Sequence, residues 1–265
     1  MKILAGLTAL LLSTVMLASC GSSAGSSSEG PSQGAQVTAV APPPDIAEYP
    51  DSDSSERVPW PYEDGELLSG TADPGFAEGD PGEVSVIMVG PRTGSKLLFV
   101  YRNNTDDYIA EMEWTATVRS GGQLVATGGS QGDMPAHVEP GAIGTSYIYI
   151  PSSVEIPSDA EYSFDVEYDE ASMASYHRAP LVITEMNHLG DTFVGEATNR
   201  SGVPIDGSYT VSVFCFDDDE LLFEAGRGSG ANDKELADGE SVPFLVELYG
   251  RECPTYLASV AGYYK

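Results

Sequence analysis

The sequence predicts an all-β fold: two tandem β-sandwiches that follow an export signal and a flexible tether. Three observations point there. In Tyr108–Arg119, Met112, Trp114, Ala116 and Val118 alternate with Glu111, Glu113, Thr115 and Thr117, the period-2 pattern of a strand with one buried and one wet face. From Val84 onward, short β-rich runs are separated by Gly, Asp, Asn and Pro, and no amphipathic helix interrupts them. Finally, a set of landmarks in the first half recurs in the second.

At the N-terminus, Lys2 is followed by an apolar run from Ile3 to Leu17 and then by small residues and Cys20. About 15 apolar residues are too few to span a bilayer, which takes ~20. The pattern is that of a secretory signal. Leu17-Ala18-Ser19-Cys20 resembles the lipobox of bacterial lipoproteins. That resemblance implies cleavage after residue 19 and a diacylglycerol on the Cys20 thiol, so the expected partner at this end is the outer face of the cell membrane.

Residues 20–83 read as a tether rich in Gly, Ser, Pro and acid. Gly21 to Pro44 holds almost no bulky apolar residue and cannot bury enough surface to fold. As a flexible coil, a segment of this length reaches about 30–35 Å. Trp60, Tyr62, Leu67, Leu68 and Phe76 sit among the prolines of Asp45–Gly82 and offer side chains for docking.

Strands are expected over Val84–Val89, Lys96–Arg102, Tyr108–Arg119, Thr145–Ile150 and Tyr162–Tyr168, with Gly121-Gly122 as a turn. Glu170–His177 reads as a connector with at most one helical turn. The plan then repeats. Asn103-Asn104-Thr105 and Ile109 are echoed by Asn199-Arg200-Ser201 and Ile205, 96 residues on. Glu139-Pro140-Gly141 is echoed by Ala237-Asp238-Gly239, 98 residues on. The reading is a duplicated unit, residues 84–170 and 181–265, with a single larger barrel as the competing arrangement.

Three stretches of the second unit, Gly195–Gly202, Val211–Asp217 and Leu236–Glu240, resemble the FxLYD domain family. Val213, Cys215 and Phe216 stand where that family has Phe, Leu and Tyr, and Asp238 replaces a usual Pro. The resemblance implies Ig-like β-sandwiches on a surface lipoprotein, without an assigned enzymatic activity.

The chain carries 12 Lys+Arg against 41 Asp+Glu, a formal net charge of −29. Phosphate backbones and anionic headgroups repel such a surface, so nucleic acid is excluded as a partner and membrane attachment needs the covalent lipid. With Cys20 assigned to lipid, Cys215 and Cys253 remain as a candidate disulfide in an exported compartment.

Candidates for chemistry are sparse. Gly21–Gly25 and Gly128–Gly132 fit Gly-x-Ser-x-Gly, but Ser23 lies in the tether and Ser130 between β runs, not on the strand-to-helix turn a nucleophile needs. His137, His177 and His188 have no metal-ligand spacing. Asp217, Asp218, Asp219 and Glu220 form an oxygen-rich turn that is a candidate Ca²⁺ site, though neither it nor Asp51–Glu56 has EF-hand spacing. Asn103 and Asn199 head glycosylation sequons, and the structural reading is that each shapes its own turn. If Ile148 and Ile150 point inward, Tyr147 and Tyr149 point outward as a candidate recognition surface for a protein or glycan.

The sequence reading is therefore a lipid-anchored extracytoplasmic binding or adhesion module, not an enzyme and without a required cofactor. Its competitors are a solute-binding lipoprotein of a transporter, a hydrolase whose residues converge only in space, and an adhesion module stabilised by Ca²⁺.

Overall fold

In the computed structural model, residues 67–130, 132–171, 178–205, 208–230 and 235–263 are described, all within the compact unit Ser55–Lys265. The expected signal sequence, Cys20, Ser23, Trp60, Tyr62 and His177 lie outside the described residues. The strands are β1 (Ser69–Gly70), β2 (Val84–Thr93), β3 (Lys96–Asn103), β4 (Ile109–Ser120), β5 (Gln123–Ser130), β6 (His137–Val138) and β7 (Ile143–Tyr149). They continue with β8 (Glu161–Glu170), β9 (Arg178–Leu189), β10 (Thr192–Thr198), β11 (Tyr209–Asp217), β12 (Glu220–Gly230), β13 (Ser241–Glu247) and β14 (Thr255–Tyr263). No helix occurs among the described residues, and every pairing is antiparallel in two seven-stranded sheets.

The first sheet bends into two leaves. Strands β2-β3-β7 form one and β5-β4-β8 the other, joined where Gly129 and Ser130 meet Tyr149 and Ile148. Alternation decides what faces inward: Met112, Trp114, Ala116 and Val118 of β4 oppose Leu97, Phe99 and Tyr101 of β3 and Ile148 of β7. Phe99 packs on Trp114 edge to face at 5.1 Å and on Phe164 at 5.2 Å. Each such fully buried side chain contributes about 1.5–3 kcal/mol. Gly121 and Gly122 supply the two positive φ values, 54° and 78°, that a two-residue hairpin with the right twist demands.

The second sheet repeats the plan with leaves β9-β10-β13 and β12-β11-β14. Phe193, Val242 and Val246 face Val211, Val213 and Val260 across a separate core. Cys215 of β11 is bonded to Cys253, just before β14, at a sequence separation of 38. A loop of that size corresponds to about 4 kcal/mol on the chain-entropy model.

The duplication holds at the level of single hydrogen bonds. The Asn103 side chain donates to the carbonyls of Asp107 and Val138 at 2.8 and 3.0 Å. Its oxygen accepts from the backbone and the hydroxyl of Thr105. Asn199 donates to Val203 and Leu236 at 2.8 and 3.0 Å and accepts from both donors of Ser201. Both asparagines are fully buried. They act through these bonds rather than through left-handed backbone angles, which neither adopts. Buried and fully engaged, they are turn-builders rather than glycan acceptors. The two extra residues of the second copy enter separately. Ala116 and Val213 occupy matching core positions, an offset of 97, so one residue enters between Ile205 and Val211, and the other enters at the β12 bulge, where Gly226 and Gly228 pair with the consecutive Ser212 and Val211.

The two halves are not separate beads. Leu98 and Val100 of β3 and Tyr147 of β7 turn away from the first core and meet Phe214 and Phe216 of β11, Leu221 of β12 and Leu257 and Ala261 of β14. This third core corrects two expectations. Tyr147 does point outward from its own sandwich, but the second half covers it to 6% exposure, while Tyr149 stays 43% exposed. The segment 67–83 does not behave as tether. Leu68, Ala72 and Phe76 pack into the third core, and Ser69 and Gly70 pair with Ala258 and Leu257 of β14. The second half also begins at Arg178, ahead of the expected residue 181. At the border of the third core, Lys96 donates to the buried carboxylate of Glu224 at 2.9 Å and lies 4.3 Å from the Tyr147 ring. Ser212 donates to the other Glu224 oxygen at 3.1 Å.

A shared core predicts shared unfolding. Calorimetry of the folded body should show one cooperative transition, and Phe214→Ala should lower its stability by about 3–5 kcal/mol without splitting it. Two resolved transitions would count against the third core. Asn103→Ala and Asn199→Ala should each cost about 2–4 kcal/mol, read from denaturant midpoints, because each strands several buried partners.

Candidate functional site

A cleft of about 540 Å³ lies where β4 and β5 of the first half approach β9, β11 and β14 of the second. A β-bulge shapes its rim: the β4–β8 register shifts between Ala110 and Glu113, and Glu111 takes a φ of 50°. Bulges re-aim side chains, and here Glu111 and Glu113 both line the cleft. Asp133 and Arg178 stand across it with Thr210 and Tyr263. One nitrogen of Arg178 donates to the Asp133 carbonyl at 3.1 Å, another contacts the Met134 sulfur at 2.9 Å, and the Tyr263 ring lies 6.0 Å away.

The same pair of charges reaches Tyr101. Its side chain is fully buried, and its hydroxyl has no hydrogen-bond partner among the described residues. Burial pushes the phenol pKa well above the usual 10.0, the Asp133 charge pushes it further, and Arg178 opposes.

Ser130 lies on the cleft wall but is a structural hydroxyl. It accepts the Trp114 backbone N–H at 3.0 Å and points back toward the Met112 carbonyl at 3.5 Å. Among the described residues, no histidine lines the cleft. His137 is buried in β6, and His188 stacks on Phe193 at 4.3 Å. The cleft therefore has polar groups able to hold a ligand and no serine–histidine relay among the described residues.

A second hollow of about 370 Å³ lies beside the docked N-terminal segment, between Leu68, Phe76, Pro135, Ile143 and Leu257. Phe76, Arg102 and Gly141 also line an adjoining hollow of about 630 Å³. These spaces follow from the irregular packing of residues 67–82 over two sheets.

The acidic turn, the candidate Ca²⁺ site of the sequence, lies at the surface. Asp217–Glu220 closes the β11–β12 hairpin with all four residues exposed and Asp218 at φ 49°. A two-residue turn fans its side chains apart, and Asp219 is engaged by the Gly75 N–H at 2.7 Å. No three His, Cys, Asp or Glu side chains among the described residues come together as a metal site, and through Asp219 the turn holds the N-terminal segment. Sequence inspection passed over Arg178, Asp133 and Glu224, whose neighbours come from the other half. Period and motif carry no signal for such contacts.

No protein-family model matches the chain, and no curated protein matches it in sequence.

The buried phenol sets a pH test. The folded state holds the Tyr101 proton more tightly than the unfolded chain, so its contribution is complete below about pH 10 and is lost as pH rises above that value. Tyr101→Phe should therefore match or exceed the wild type at pH 7, by up to about 1–2 kcal/mol. It should also lose less stability from about pH 10 to 11 in melting experiments; equal alkaline losses would place the titration elsewhere.

Proposed function

We propose that this chain is a lipid-anchored, extracytoplasmic binding module that presents surface to a protein or glycan and performs no catalysis. The observation that carries the reading is the N-terminal sequence: Lys2, the apolar run Ile3–Leu17, and Leu17-Ala18-Ser19-Cys20. The net charge of −29 supports it, since an acidic body near anionic headgroups stays at a membrane only through a covalent lipid. The helix-free architecture supports it as well. A solute-binding lipoprotein with two α/β lobes has no counterpart among the described residues. The engagement of Ser130 by backbone groups weighs against a hydrolase.

Labelling of growing cells with radioactive palmitate should mark the wild-type protein and leave Cys20→Ala unmarked, with the variant released to the soluble fraction. Equal labelling of both would remove the anchor from this reading.

A further inference from the structure

The duplication exposes a difference between two equivalent strands. Strand β8 pairs with β4 as β14 pairs with β11: Tyr162, Phe164 and Val166 lie opposite Val118, Ala116 and Trp114, and Tyr256, Ala258 and Val260 lie opposite Cys215, Val213 and Val211. On its other side β14 is covered along nearly its whole length. Ser69 and Gly70 pair with Ala258 and Leu257, and the backbone N–H groups of Thr71 and Ala72 both donate to the Tyr256 carbonyl at 2.9 and 3.0 Å. Arg178–Leu181 pairs with Tyr263–Val260. By position, those partners correspond to cover over Tyr162–Asp169 of β8. There β8 has none: among the described residues Glu161–Glu170 pairs only with β4. Among the described residues, strand β2, the counterpart of β9, pairs only with β3.

We infer that the free edge of β8 is a docking site for an extended segment of another protein, one that alternates basic and apolar residues. Every second residue of an edge strand turns both its N–H and its C=O outward, and an added strand satisfies them. The side chains specify the guest. Glu161, Ser163, Asp165, Glu167 and Asp169 stand exposed on one face of β8, while Tyr162, Phe164 and Val166 are half-buried on the other. A guest strand meets the first set with lysine or arginine at alternate positions and the second with apolar side chains between them. A second copy of this chain does not fit. Antiparallel self-pairing of β8 sets carboxylates against carboxylates, and the chain holds only 12 Lys+Arg in all. Strands β12 and β13 also end their leaves; on that edge their counterparts β5 and β7 meet each other, over two residue pairs, so neither shows a strand added from outside its own sandwich. The inference deepens the proposed binding role and is independent of the lipid.

The probe is an eight-residue capped peptide of alternating lysine and valine, titrated into the purified full chain. It should bind at least ten times more tightly than the glutamate–valine equivalent and should slow amide hydrogen exchange in Tyr162–Asp169. Asp165→Lys with Glu167→Lys should weaken it tenfold or more, while Glu185→Lys with Glu196→Lys, on a different sheet face, should not. A peptide methylated on every second backbone nitrogen, so that one edge cannot donate, should lose binding. If the methylated peptide binds equally, or exchange slows elsewhere, the basic peptide is merely adsorbed on an acidic surface and the edge site is overturned. Because the assay reads affinity in solution, its failure leaves the palmitate result untouched, and failure to label leaves this one untouched.

Discussion

Strand β3 belongs to two cores at once, and the rest of the molecule is arranged around that constraint. Leu97, Phe99 and Tyr101 point into the first sandwich, whereas Leu98 and Val100 point into the contact with the second. A strand buried on both faces reads as a continuous apolar run rather than an alternation, and Leu97–Tyr101 is such a run. Once β3 is pinned from both sides, β7 follows it, which takes Tyr147 out of solvent. The second half cannot shift without exposing Phe214 and Phe216. The residues ahead of β2 cover what remains of the apolar surface, with Phe76 edge to face on Phe216 at 6.1 Å.

The outer faces of the two copies differ from the faces that meet between them. In the first copy the outer positions of the β2-β3-β7 leaf are Leu98, Val100 and Tyr147; their counterparts in the second are Val194, Glu196 and Leu245. Glu196 in place of Val100 puts a charge at the centre of the face that would receive another sheet. At the opposite end, the β5-β4-β8 leaf of the first copy shows Glu113 directly opposite Glu167. Two acidic outer faces do not stack, because each would bury unpaired carboxylates. The interface between the halves is therefore unlike either free end, although all derive from one unit.

Much of this was legible in the sequence, for physical reasons that also set the limit. Period 2 in β4 gave the inward set with Trp114 among it, and the spacing of Asn103 and Asn199 marked two copies of one bonding arrangement. The two spare cysteines, a candidate pair in the sequence, are bonded in the structure. Alternation, however, reports only which side of its own sheet a side chain takes. It says nothing about whether another body covers that side, so Tyr147 and Tyr149 looked alike and proved different. For the same reason Leu68 and Phe76, isolated among prolines and glycines, carried no periodic signal, and their burial depends on a surface that two distant segments build together. The cleft residues Asp133 and Arg178 meet across the halves in the same way.

Charge supplies the remaining specificity of the junction. Apolar sheet faces tolerate sliding, since one buried methyl group replaces another at small cost. The Glu224 carboxylate does not: its side chain is 3% exposed, and it takes Lys96 on one oxygen and Ser212 on the other. Such a pair adds little net stability over an apolar one, but separating it takes the cation away from a buried carboxylate, at a cost on the order of 2–3 kcal/mol. A slip of the first half along the second would separate it while leaving most of the apolar contact intact. The hydrophobic faces hold the halves together, and the ion pair holds them in register. That register sets Arg178 against Asp133 at the cleft and keeps the N-terminal segment on the edge of β14.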